Sequence, residues 1–389
     1  MNSSPPYRGF PESEFAQRTE LLQQSMRQHQ VDAVLLTTEP NVRYFSGFLT
    51  QFWESPTRPW FLVMPADGKP VAVIPEIGFS GMAQTWVEDI RTWPSPRPED
   101  DGISLLVDCF RRLPRRFGRI GMTFGAESMV RMPANNLAVL KQKLATFELE
   151  DVAEVIHQQR MVKSSLEVDK IRYICQLASS SFDALPGFAA PGMSELEICR
   201  QMRIDLLNRG ADSTPYMVAG SGPGGYDSII MGPTERQVVD GDLLIIDTGS
   251  TWDGYFCDFD RNFAFGHAGD ETCNAYEVVW KATEAGFDAA LPGSTTTDLW
   301  QAMNDVMTAA GSLGNEVGRL GHGLGMQLTE RPSNTRDDKT RLKPGMVITL
   351  EPGMTFLPGK QMVHEENIVI TENGAEWLTQ RASATLPVL

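Results

Sequence analysis

Asp247 and Asp258 frame the stretch richest in potential chemistry, GDLLIIDTGSTWDGYFCDFDRNFAFG from Gly241 to Gly266. An apolar run, Leu243 to Ile246, leads into Asp247. The turn dipeptide Asp253-Gly254 follows, and Tyr255-Phe256-Cys257 leads into Asp258. Two β-rich runs around a glycine-containing loop predict an antiparallel hairpin. Pairing Asp247 with Asp258 leaves Thr251 to Gly254 as the loop and sets the two carboxylates across from each other, Cβ atoms roughly 5 Å apart. Like charges that close repel unless a cation lies between them. Taken alone, the pair fits a solvated face equally well.

Three further residues have the same chemical character, each beside a glycine or in a β-rich run. His322 lies in Gly321-His322-Gly323-Leu324-Gly325, Glu351 ends the run LKPGMVITLEPGM, and Glu366 lies in VHEENIVIT. One imidazole and four carboxylates form a hard, oxygen-rich donor set suited to a pair of divalent ions such as manganese, iron, cobalt or zinc. A bridging carboxylate lets two such ions sit roughly 3.5–4 Å apart and share one activated water.

The order of these motifs resembles the metal site of the methionine aminopeptidase, prolidase, aminopeptidase P and creatinase superfamily: Asp, ten residues, Asp, then GHGxG, then LxPGMVxTxEPG, then a glutamate before a V/I-T run. Any one motif is weak, but all five ligands in order are specific. The resemblance implies a "pita-bread" α+β catalytic domain with a curved antiparallel sheet, and it implies the ligands Asp247, Asp258, His322, Glu351 and Glu366. On that reading Asp258, His322 and Glu351 hold one ion, Asp247 belongs to the other and Glu366 bridges. Two divalent ions per chain follow, manganese first among the candidates, with iron, cobalt or zinc also suitable. Glu351 and His322 are the expected catalytic residues, Glu351 relaying a proton to the leaving nitrogen. Activity resembling Xaa-Pro dipeptidase or aminopeptidase P is the leading expectation, with a metal-bridging water as nucleophile.

The chain also departs from the pattern. Family peptidases carry a histidine just before the metal hairpin, where this chain has Ser221 to Gly232 with none. They carry a second histidine seven residues after the GHG histidine, where this chain has Thr329. His364-Glu365 stands where an arginine is common, and Asp260 where a threonine is. Losing two imidazoles that face the scissile carbonyl removes roughly 3–4 kcal/mol of stabilisation per donor. Tyr226, Arg58, His364 or Thr329 could substitute. Asp260 either pairs with Arg261 or binds a cationic substrate group. The alternative activity is therefore a non-peptidase one on a small cationic osmolyte or guanidino compound, as in dimethylsulfoniopropionate lyase or creatinase. On the same grounds prolyl dipeptides are expected to be poor substrates. A metal-free binding module, as in pita-bread partners of chromatin or ribosomes, is disfavoured because all five ligands remain.

The elements that must hold these residues form two domains. The chain has 389 residues, enough for well-buried cores. Residues 1–10 read as an N-terminal arm, 11–160 as an α/β domain resembling the creatinase/prolidase N-terminal domain, and 161–389 as the catalytic domain. In the first, a helix over Pro11 to Gln30, a strand over Val31 to Leu36 and a hairpin around Asp67-Gly68 are expected. The aromatic stretch Phe52 to Phe61 reads as a packed loop or as one that brings Trp53 and Arg58 to a substrate pocket, the partner subunit's if the chain is a homodimer as family members are. Helices are expected over about 166–184, 194–208, 270–290 and 297–310. A net charge of −16 argues against nucleic-acid binding. No run of about 18 apolar residues predicts a membrane span, no secretory signal is visible, and five scattered cysteines fit a reducing cytoplasm. The expected partner is a small molecule or a dipeptide.

Overall fold

The structure is a computed structural model that describes residues 4–55, 57–314 and 318–389. Part of the expected arm and Pro56 of the aromatic loop lie outside the described residues. The described residues form two compact units, the first Tyr7–Gln159 and the second Arg160–Leu389 together with residues 4–6.

In the first unit, β1 (Ala33–Leu36), β2 (Phe61–Pro65), β3 (Val71–Pro75), β4 (Asp89–Trp93), β5 (Arg119–Met122) and β6 (Glu148–Asp151) form one mixed sheet in the order β4-β3-β2-β1-β5-β6. The predicted hairpin is β2–β3, paired Phe61 to Val73. Helices α1 (Glu12–His29), α2 (Glu39–Ser46), α3 (Phe79–Met82), α4 (Ile103–Arg112) and α5 (Ala134–Lys143) accompany it. Leu35, Phe61, Val63, Val73, Leu106 and Phe110 share its core. Strand β6, ELED, escapes the sequence pattern because it is an edge strand with half its residues toward solvent.

Helix α6 (Ala153–Met161) ends at the start of the second unit. Its further helices are α7 (Ser165–Ala184), α8 (Glu195–Arg209), α9 (Asp270–Ala289) and α10 (Thr296–Ala309), within one residue of the predicted ends. Capping boxes set three of these starts: Ser164 with Glu167, Ser194 with Glu197, and Thr295 with Asp298. Strands β7 (Ser213–Pro223), β8 (Asp242–Trp252), β9 (Tyr255–Phe256) and β10 (Phe259–Ala264) make one antiparallel sheet. A second runs β12-β11-β13-β16-β17, from β11 (His322–Gly323), β12 (Glu330–Ser333), β13 (Val347–Leu350), β16 (Glu366–Thr371) and β17 (Gly374–Trp377). Between them in sequence, β14 (Gly353–Leu357) and β15 (Lys360–Val363) pair as a ribbon. Leu243 and Ile245 of β8, Ile348 and Leu350 of β13, and Ile368 and Ile370 of β16 enter one core with Tyr276, Val279 and Met303 of α9 and α10.

Candidate metal centre

Strand β8 alternates, so Asp247 follows Leu243 and Ile245 onto the same face, just beyond the core. The hairpin forms, but its register differs from the expected one. Asp247 pairs with Asp260, and the loop shrinks to Asp253-Gly254, with φ of 48° and 80°. Two positive φ values are what a two-residue type I′ turn demands. The tip is anchored by the buried Lys170, whose ammonium lies 2.6 Å from Asp253, and by Tyr255, which donates to Glu167 at 3.0 Å.

In this register Asp258 falls opposite Gly249, in the gap between β9 and β10, diagonal to Asp247. Its backbone there lacks ladder partners, and the fully buried Asn367 supplies both. Asp258 N–H donates to Asn367 Oδ1 at 3.0 Å, and Asn367 Nδ2 donates to the Asp258 carbonyl. The Cys175 thiol donates to the same Oδ1 at 3.3 Å. One amide thus ties the first sheet to the second beside a candidate ligand.

The register of the second sheet decides which glutamate faces that ligand. Leu350 pairs with Glu366 and Thr349 with Asn367. Since His364 N–H donates to the Pro352 carbonyl at 3.2 Å, the same register places Glu351 across from Glu365. Ile368 and Ile370 commit one face of β16 to the core, and Glu366 shares that face. Glu365 and Asn367 take the other. The expectation for Glu366 is therefore corrected. Its carboxylate is consumed by Arg261 at 3.0 Å, Arg381 at 3.2 Å, Ala382 N–H at 3.1 Å and the Thr379 hydroxyl. Burial opposes its charge, yet Arg261, His364 and Arg381 hold it well below the usual carboxylate range. Glu365 is the one that meets Asp258 and His322, a ligand atom of each lying within 4.8 Å of the others.

His322 is oriented for this role. Its N–H donates to the Thr349 hydroxyl at 3.1 Å, and its Nδ1 lies 2.9 Å from the Gly323 carbonyl. A carbonyl only accepts, so Nδ1 carries the proton and Nε2 presents a lone pair, 3.3 Å from Asp258 Oδ2. Burial holds the imidazole below its ordinary pKa. Burial raises Asp247, Asp258 and Glu365 well above theirs, with the neighbouring carboxylates adding to the shift at Asp247 and Glu365. Glu351 is pushed up to about 7, first by burial, with Asp258 adding and His322 and Arg319 opposing. Asp247 Oδ1 and Glu365 Oε1 are buried with no hydrogen-bond partner. Mutually repelling hard donors with orphaned oxygens fit a divalent cation.

The remaining expected residues are placed unevenly. Asp260 is buried opposite Asp247, and its pKa is raised by burial and by Asp247. Its expected ion pair with Arg261 is not made, because that guanidinium serves Glu366 and the carbonyls of Asp260, Glu365 and Gln380. Tyr226 is a buried structural residue, its hydroxyl donating to Asn262 at 3.0 Å and accepting from Val363 N–H at 2.8 Å. His364 is also buried, its Nε2 2.6 Å from Arg381 and 3.3 Å from Glu366. The Tyr226 hydroxyl is taken up by these partners, whereas His364 keeps its Nδ1 buried with no hydrogen-bond partner. Thr329 is exposed and accepts from Arg319 at 3.3 Å. In the first unit, Trp53 is packed against Trp60 under Arg131, and Arg58 lies over Phe52. Within the chain, Trp53 thus has a packing role.

Sequence reading missed Glu365, Asn367, Arg319 and Tyr216. Tyr216, on β7 diagonal to Asp247, favours the charged form of that carboxylate against burial. The adjacent pair Glu365-Glu366 was the available signal for the first; the others needed the register.

Residues 169–372 match the metallopeptidase family M24, and residues 18–162 match the Creatinase/Prolidase N-terminal domain. The Xaa-Pro dipeptidase of Pyrococcus horikoshii is 27% identical over 362 residues, 91% of this chain and 94% of that protein. The probable dipeptidase PepE of Mycobacterium tuberculosis is 26% identical over 375 residues, 95% of each. Among solved structures, dipeptidase PepE from Mycobacterium ulcerans is 27% identical and superposes with a TM-score of 0.84 over 98% of this chain and 99% of its own. A prolidase from Thermococcus sibiricus, 22% identical, shares the fold with a TM-score of 0.86 over 96% and 99%. With its site residues drawn from two sheets and nearly its whole length matched, the chain belongs to metallopeptidase family M24, a metallohydrolase whose pita-bread domain follows a creatinase/prolidase-type N-terminal domain in sequence.

Proposed function

We propose that this chain is a dipeptidase whose centre holds two divalent ions on Asp247, Asp258, His322, Glu351 and Glu365. The observation that carries the reading is the convergence of Asp258, His322 and Glu365, with Glu365 keeping a buried, unpartnered oxygen. The names of relatives, dipeptidase and Xaa-Pro dipeptidase, supply the substrate class. Bound ions of this kind act as Lewis acids and lower the pKa of a water toward neutrality. The chain's own residues do the rest. Asn367 and Thr349 hold the backbones of Asp258 and His322. Tyr216 favours the charged form of Asp247 against burial. Glu351, half-buried at the end of β13, is placed to take a proton and return it to the leaving nitrogen.

Manganese as the native ion, a homodimer and a cytoplasmic location belong to the same proposal. Five free cysteines, four of them buried, support a reducing compartment. No helix among the described residues is long and apolar enough to cross a membrane. A second reading, cleavage of a small cationic compound, draws on Asp260, a buried carboxylate left without an ion pair among the described residues.

The test is a panel assayed with manganese at neutral pH: Ala-Pro, Leu-Pro, non-prolyl dipeptides, quaternary and sulfonium osmolytes, and guanidino acids. Dipeptide turnover at roughly 1–10³ per second, abolished by chelation and restored by manganese, is expected. Turnover of only the cationic compounds would transfer the assignment to the second reading.

A further inference from the structure

The chain lacks the two histidines that its resemblance leads one to expect beside the scissile carbonyl, and the structure narrows what could replace them. The loop at the first position offers Ile230 and Met231, 75% and 61% exposed, neither with a donor. The Tyr226 hydroxyl is spent on internal partners, and His364 is fully buried with its Nε2 against Arg381. Other cations near the ligand strands are committed as well: Arg261 and Arg381 to Glu366, Arg160 and Lys163 to Glu330.

Arg319 differs. It lies three residues before His322, is half-buried, and among the described residues has no carboxylate at ion-pair distance. Its Nη2 donates to the hydroxyl of Thr329, which stands at the position of the second missing histidine, at 3.3 Å. The next residue, Leu320, accepts through its carbonyl from Glu351 N–H at 3.1 Å, so the chain at Arg319 runs beside both Glu351 and His322. It therefore stands near the ligands without being neutralised by them. A hydroxyl that accepts from a guanidinium keeps its own proton to donate, and the cation strengthens that donation.

We infer that Arg319 and Thr329 form the oxyanion-binding pair of this enzyme, Arg319 as a catalytic residue and Thr329 as the hydroxyl it holds. The inference rests on the dipeptidase reading. As the water oxygen bonds to the carbonyl carbon, the C=O π pair moves onto the carbonyl oxygen, which Arg319 and Thr329 then hold. The water's proton passes to a carboxylate of the cluster and returns to the nitrogen as the C–N bond breaks. A planar cation with several donors suits that oxygen better than a single hydroxyl would.

The test compares wild type, R319Q, R319K, R319G and T329V on the best dipeptide of the panel, with metal content and melting temperature measured for each. R319Q is expected to lower kcat by about 10²–10³-fold with KM within about threefold, at unchanged metal content. R319K should keep part of the rate, and added guanidinium at millimolar concentration should raise kcat for R319G but not for wild type. Because T329V removes only an exposed hydroxyl, it preserves the test if an arginine variant misfolds. Its loss should be smaller, and the R319Q/T329V pair non-additive. Wild-type kcat in R319Q, a loss confined to KM, or no rescue of R319G would overturn the inference. Wild type inactive on every dipeptide would instead sink the dipeptidase reading and this inference with it.

Discussion

Glu365 and Glu366 are neighbours in the chain, both buried, and their carboxylates touch nothing in common. Glu366 is the counter-charge of Arg261 and Arg381, so Glu366→Gln leaves the buried Arg261 guanidinium short of its carboxylate and should cost about 3–5 kcal/mol. Glu365→Gln removes a carboxyl whose ionisation burial and the neighbouring carboxylates oppose, and should leave the metal-free protein at least as stable as wild type. Thermal melts of the two metal-free variants check this, and equal losses would contradict the assignment. The sequence showed that a glutamate near this point belongs to the site, and it could not show which. The run Ile368-Val369-Ile370 is apolar on both faces of the strand, so alternation gives no phase. Packing of Ile368 and Ile370 against α9 and α10 supplies it. Arg319 was invisible for a different reason: an arginine three residues before a glycine-flanked histidine has no spacing rule of its own.

At the scale of elements, the helices were legible because periodic apolar residues and capping boxes are local features. The hairpin was legible as a hairpin, since Asp253-Gly254 marks its turn. Its register was not, because either pairing places one aspartate opposite another acidic residue. What fixes the register is non-local: Lys170 of α7 on Asp253, and Asn367 of β16 on the Asp258 backbone. Asn367→Ala should therefore weaken metal binding about 10–100-fold while most secondary structure remains. Asn367→Asp should do the same, because a carboxylate cannot donate to the Asp258 carbonyl. Manganese calorimetry on the two variants is the check. Wild-type affinity in both would show that the amide does not position Asp258.

Across the whole molecule, burial sets groups of opposite sense against each other as pH changes. Glu330, buried between Arg160 and Lys163, is held down at about 2. Its stabilisation is present above its ordinary value near 4.5 and lost only as pH falls through about 2. Glu351 is raised to about 7, so between about 4.5 and 7 the folded state holds a proton that the unfolded state releases. Asp247, Asp258 and Glu365 act in the same direction. The metal-free chain should accordingly lose stability as pH rises through that window, and a divalent ion should restore most at the upper end, where it replaces protons on the same oxygens. The most direct measurement is a manganese titration of the metal-free protein at pH 7.5, followed by calorimetry and thermal melting, for wild type and Glu365→Gln. The account predicts two ions bound per wild-type chain, a rise in melting temperature that shrinks toward pH 5, and loss of at least one ion in Glu365→Gln. A wild-type chain that binds no manganese, or a Glu365→Gln variant that binds it as wild type does, would contradict it.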